Sequence, residues 1–196
     1  MNVGMQDSEL SSNTIDKDFK ADIVNVVATF SLDTTLDLEE VHRQFENESS
    51  FDEAIFNYGV VILQVKKPKM SFLIYRTGNI VCVGAKSVED AKQSGEYLIN
   101  RFRDVGINAQ LSREVEISNI VVAADLGSEL NLDAIATNSG LENVEYEPEQ
   151  FPGLIYRLNE DNIKCTILLF HSGKMIIAGL KDVNKIHKVM ERLISD

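Results

Sequence analysis

Phe72-Leu73-Ile74-Tyr75-Arg76-Thr77-Gly78-Asn79-Ile80-Val81-Cys82-Val83-Gly84-Ala85-Lys86 aligns without a gap on Ile167-Leu168-Leu169-Phe170-His171-Ser172-Gly173-Lys174-Met175-Ile176-Ile177-Ala178-Gly179-Leu180-Lys181. In each copy two apolar runs flank a tight polar turn, Thr77-Gly78-Asn79 or Ser172-Gly173-Lys174, whose glycine supplies the positive φ needed to join antiparallel strands. The match extends upstream. Ile23-Val24-Asn25-Val26-Val27-Ala28, followed by Leu36-Asp37-Leu38 and Val41, recurs as Asn119-Ile120-Val121-Val122-Ala123, followed by Leu130-Asn131-Leu132 and Ile135. The offset is 94 to 95 residues at both ends, so the chain holds two copies of one unit.

Each unit reads as a strand (Ile23–Phe30 in the first), a short helix opened by Asp37 with Glu40 three residues later, several strands and a longer helix. The longer helix starts at Ser87, with Asp90 three residues on, and at Asp182 in the second copy. There Val183, Ile186, Met190, Leu193 and Ile194 follow the helical period. The units are expected over 22–116 and 117–196. They follow an acidic tail, 1–21, whose Ser, Asp and Asn content predicts disorder. The fold class is α+β with an antiparallel sheet of about ten strands and four helices.

The chain has 196 residues, 44% of them hydrophobic, enough for one substantial core. Cys82 and Cys165 lie far apart in apolar runs without CxxC or Cys/His spacing, so no metal site is expected. His42, His171 and His187 fall in different elements, outside any Ser/His/Asp or Cys/His motif, and neither a glycine-rich phosphate loop nor HExxH is present. An enzyme is the least favoured class, and no cofactor is implied. Apolar runs such as Cys165 to Phe170 fall well short of the roughly 20 residues of a membrane span, and the N-terminus lacks a signal pattern. A reducing, soluble compartment follows as the expectation, with no membrane partner.

The strands around Val60–Leu63, Phe72–Tyr75, Ile80–Val83, Ile167–Phe170 and Met175–Ala178 are apolar almost throughout, so both faces of the sheet must be apolar. Four helices can cover one face. The other is left open unless the two halves form separate domains or stack their sheets face to face. An open apolar area of that size marks a binding surface. The net charge of −12 argues against nucleic acid as a whole, but its distribution argues for it. Residues 58–86 hold five bases and no acid, and residues 151–181 hold four bases against Glu160 and Asp161. These segments sum to +7 and leave −19 elsewhere, which suits an apolar face with a cationic rim.

At Tyr146-Glu147-Pro148-Glu149-Gln150-Phe151-Pro152-Gly153-Leu154-Ile155-Tyr156-Arg157, Ser172-Gly173-Lys174, Val83-Gly84-Ala85-Lys86 and the paired asparagine strands, the chain resembles the TATA-box binding proteins, archaeal type, over all but the tail. The resemblance implies one curved ten-stranded saddle with pseudo-twofold symmetry and helices on the convex side. The concave side would lie on a widened minor groove kinked by inserted side chains, a binding mode of which this family is the standard example. It also implies roles residue by residue. Asn25 and Asn119 would donate to central bases; Val27, Val81, Val121 and Ile176 would pack on the groove floor; Tyr58 with Tyr75, and Phe151 with Phe170, would be the wedges. Lys86, Lys181, Arg157 and Lys174 would meet phosphates, whereas Gln64 and Asn79 stand where the family has bases. Val83 and Ala178 replace threonines that face the DNA.

The acidic run Glu145, Glu147, Glu149 with Gln150 would receive a basic partner, a transcription factor B-type initiation factor, and through it RNA polymerase. The implied activity is that of a promoter-binding initiation factor that bends A·T-rich DNA, acting in an archaeal cytoplasm and nucleoid or a eukaryotic nucleus. The weakened first repeat leaves a second reading open: a diverged paralogue acting mainly as a protein-interaction module with little DNA binding. Self-association as a homodimer through the open face is a further expectation for the DNA-free protein.

Overall fold

Alternation along each strand decides which side of it is buried. In the segment Lys20–Leu32 the side chains of Ala21, Ile23, Val26, Ala28, Phe30 and Leu32 are buried, while Asn25, Val27, Thr29 and Ser31 between them are half exposed. The same two-residue period recurs in the other long strands. The protein is described by a computed structural model over residues 14–16, 20–52, 59–138, 143–160 and 162–195.

The elements in chain order are β1 (Thr14–Asp16), β2 (Lys20–Leu32), α1 (Leu38–Gln44), β3 (Ser49–Asp52), β4 (Val60–Lys66), β5 (Lys69–Ile74), β6 (Asn79–Ala85), α2 (Val88–Asp104), β7 (Leu111–Asp125), α3 (Leu132–Asn138), β8 (Val144–Glu145), β9 (Leu154–Glu160), β10 (Ile163–Leu169), β11 (Lys174–Leu180) and α4 (Asn184–Ser195). Ten strands run antiparallel in the order β3-β4-β5-β6-β2-β7-β11-β10-β9-β8, and β1 pairs on β2 beside this path. The halves therefore share one continuous sheet and do not stack as two.

Duplication is visible bond by bond. Tyr75 N–H donates to Asn79 O and Gly78 N–H to Tyr75 O across the first turn; Phe170 to Lys174 and Gly173 to Phe170 repeat this in the second. Gly78 and Gly173 both have φ +81, and a Cβ there would lie 2.4 Å from Thr34 O and 2.1 Å from Ser128 O. Only glycine fits these turns.

The helices begin where side-chain acceptors are supplied. Asp37 Oδ1 accepts from Glu39 and Glu40 N–H at the start of α1, and Ser87 Oγ from Asp90 N–H at the start of α2. Asn131 and Asp182 do the same for α3 and α4. Leu38 and Val41 of α1, Leu98 and Phe102 of α2, Leu132 of α3, and Ile186, Val189 and Met190 of α4 join the buried strand residues in one core. Val189, which is not among the five residues expected on the buried side of this helix, is fully buried beside Ile186 and Met190. Truncating a fully buried ring such as Phe72 to alanine would cost about 3–5 kcal/mol.

Candidate nucleic-acid interface

All four helices pack on one face, and among the described residues no element covers the other. Val27, Ile62, Leu73, Val81, Val83, Val121, Ile155, Leu168 and Ile176 are half exposed there and belong neither to the buried core nor to the fringe packed against it. The four apolar residues matched to the groove floor, Val27, Val81, Val121 and Ile176, thus share one face with Val83.

Register places the two asparagines at the centre of this face. Asn25 opposes Val121, Val27 opposes Asn119, and the buried pair Val26 and Ile120 lies between them. Because 25 corresponds to 119 and 27 to 121, the pseudo-dyad passes through this point. From it, paired strands define two related rows. One runs Asn25, Val121, Ala178, Thr166, Arg157, and the other runs Asn119, Val27, then Val83, Ser71, Gln64 past an irregularity in the ladder. Both rows go from a central amide through small apolar groups to a hydroxyl and an edge side chain. The edge group is cationic in the second repeat and neutral in the first.

Two related grooves flank the centre. Lys66, Lys69 and Lys86 line one of about 730 Å³ with Asn25, Gln64 and Ser71; Arg157, Lys164, Lys181 and Lys185 line one of about 560 Å³. Lys86 Nζ donates to Val24 O at 2.6 Å, which ties its side chain back to the central strand β2. Lys174 is exposed at the hairpin turn of the second repeat, where the first has Asn79, which accepts from Ser31 Oγ at 2.8 Å. Lys66 and Lys69 were legible only as part of a basic run; it is the hairpin joining β4 and β5 that brings them to the groove.

Phe151 and Phe170 meet edge to face, with ring centroids 5.9 Å apart. Both are half exposed at the end of the open face, and Gly153 lies beneath them: a Cβ there would sit 2.7 Å from Phe151 Cε1 and 3.0 Å from Phe170 Cε1. Gly153 therefore makes room for the ring pair, a role the motif Phe151-Pro152-Gly153 does not reveal by itself. Tyr75, which corresponds to Phe170, is half exposed; Tyr58 lies outside the described residues.

In the acidic run, Gln150 and Phe151 N–H both donate to Glu147 O, and the Gln150 side-chain amide donates to the Glu147 carboxylate. Glu147, Glu149 and Gln150 are exposed on this turn. Glu145 behaves differently. It opposes Ile155 across β8 and β9, and its carboxylate pairs with Arg157 at 2.7 Å. An acid assigned to partner binding and a base assigned to phosphate are thus joined, a diagonal pairing that a linear sequence does not display.

Cys82 and Cys165 are buried free thiols, and burial pushes both pKa values up to about 11. No group of three or more His, Cys, Asp or Glu able to hold a metal occurs among the described residues, and none of the described helices is long and apolar enough to cross a membrane.

The family model described as "Transcription factor TFIID (or TATA-binding protein, TBP)" matches the chain twice, over residues 20–105 and 114–196. A TATA-box-binding protein of Archaeoglobus fulgidus is 41% identical over 177 residues, covering 90% of this chain and 94% of its own. One from Haloarcula marismortui is 41% identical over 180 residues, covering 92% and 94%. The solved structure of Methanococcus jannaschii TBP superimposes with a TM-score of 0.77 at 39% identity, over 89% of this chain and 96% of that one.

Proposed function

The chain belongs to the TATA-binding protein family, archaeal type, and from that premise we propose that its uncovered sheet face lies along the minor groove of A·T-rich promoter DNA. It is a general transcription initiation factor. It binds promoter DNA and assembles partner factors on it, at the nucleoid in a cell of archaeal type. The observation that carries the reading is the pair of amide-bearing rows meeting at the pseudo-dyad on an open apolar face.

The chemistry follows from the groove. A·T pairs present acceptors there, and a G·C pair adds a protruding amino group. Asn25 and Asn119 supply donors at the centre, and Val27, Val81, Val83, Val121 and Ile176 exclude water from the floor. Tyr75, Phe151 and Phe170 wedge between base steps, where unstacking of a few kcal/mol is offset by the wider contact that bending permits. Lys86, Lys181, Arg157 and Lys174 neutralise phosphates at the rim. Glu147, Glu149 and Gln150, exposed beside the Phe151 end, receive a basic partner of the transcription factor B type, which brings RNA polymerase.

A mobility-shift titration over several salt concentrations tests this reading. Preference for an A·T-rich over a G·C-rich duplex, with affinity falling as salt rises, is the expected result. Binding no tighter than micromolar and indifferent to base composition would overturn it in favour of a protein-interaction module.

A further inference from the structure

A primary amide has two ends of opposite polarity, so an asparagine facing bases reads different edges depending on which way it is turned. At both central positions that choice is made by a backbone group. Gly84 N–H donates to Asn25 Oδ1 at 2.8 Å, and Gly179 N–H donates to Asn119 Oδ1 at 2.7 Å. Since an N–H can only donate, the atom facing it must be the oxygen, and the amide assignment is fixed by chemistry.

The two glycines occupy equivalent irregularities. Between the pairs Val26–Ala85 and Ala28–Cys82, β6 uses one residue more than β2; between Ala178–Val121 and Leu180–Ile120, β11 uses one more than β7. Such a bulge removes one residue from the ladder and leaves its N–H without a cross-strand acceptor. Gly84 and Gly179 take φ of +91 and +104 there. The asparagine oxygens satisfy these stranded donors, which leaves Nδ2, the donor end, for a ligand on the open face.

Resting on the DNA-binding reading above, we propose that Gly84 and Gly179 are positioning residues that set base preference at the centre of the site by polarity. They hold both asparagines as donors only. An acceptor-only edge is matched, and the guanine amino group meets a second donor instead of an oxygen. An amide free to turn over would offer Oδ1 to guanine and lose this discrimination.

Two measurements test it. In the DNA-free protein, amide hydrogen exchange at Gly179 should accelerate by about tenfold or more in Asn119→Ala and stay protected in Asn119→Asp, whose carboxylate still accepts, with Gly84 as the internal reference. Unchanged exchange at Gly179 in Asn119→Ala would remove the lock whatever the protein binds. The second arm compares duplexes with G·C or inosine·C at the central step, which differ in the minor groove only by the amino group. The wild type should favour inosine by about tenfold. Asn119→Asp, which turns the outward donor into an acceptor, should lose or invert that ratio, and taking the ratio within one variant cancels the added charge. A retained preference, or equal loss on both duplexes, would assign the discrimination to shape and overturn the proposal. A wild type that binds no duplex while Gly179 remains protected by Asn119 would instead overturn the DNA-binding reading and leave the lock standing.

Discussion

Replacing Glu145 by glutamine should tighten DNA binding and steepen its salt dependence. Glu145 and Arg157 are paired at 2.7 Å, with side chains 61% and 50% exposed. Exposed pairs of this kind are worth about 0.2–1 kcal/mol. A phosphate approaching Arg157 must compete with that carboxylate, so removing the charge should raise affinity by about 1.4- to 5-fold, the factor corresponding to that energy range. Freeing one cation for the backbone should also add up to about 0.9 to the slope of log K against log salt. Fluorescence anisotropy on one A·T-rich duplex across a salt series reads both quantities. In an Arg157→Gln background the Glu145 substitution should have a much smaller effect, because the coupling is removed with its partner. Affinity and slope that stay at wild-type values in Glu145→Gln, or an equal gain in the Arg157→Gln background, would refute the reasoning.

The remaining predictions draw on the same geometry. Phe151→Ala with Phe170→Ala should remove the kink at the second repeat, read as a marked drop in energy transfer between dyes at the ends of a duplex, while Tyr75 and the rim leave residual bending and binding. Gln64→Arg places a cation at the edge of the first repeat's row, equivalent to Arg157, and should raise affinity and add up to about 0.9 to the salt slope in the anisotropy series. For Cys82 and Cys165, burial raises the folded pKa from the ordinary value of 9.0 to about 11. The unfolded thiols ionise first, so their contribution to stability is full below about pH 9 and is lost as pH rises through 11. Urea midpoints should fall over that window, and less so in the Cys82→Ala, Cys165→Ala double variant.

Those features that depend on neighbours in the chain were legible in the sequence. Turn glycines at 78 and 173 and caps at Asp37 and Ser87 act within a few residues, and the 94-to-95-residue offset makes each half a check on the other. What could not be read was which of two apolar faces meets the helices. Val60 to Leu63 is an unbroken apolar run, and the structure shows that Val61 and Leu63 are buried while Ile62 lies on the open side. The asparagine locks were hidden because they join residues 59 and 60 positions apart through bulges that carry no sequence mark beyond a glycine. The same holds for Glu145, whose proximity to the acidic run suggested a shared role with Glu147 and Glu149. Strand register instead puts it opposite Ile155, from where its carboxylate reaches Arg157 on the diagonal.

Methyl resonances offer the most direct test of the claim that the uncovered face is where DNA lies. On adding an A·T-rich duplex, the methyl groups of Val27, Val81, Val121 and Ile176 should shift and gain contacts to minor-groove protons, while those of Leu98 and Val189, buried on the inner sides of α2 and α4, should not. Shifts confined to the helix side or to the acidic run, with the open-face methyls unmoved, would contradict the account.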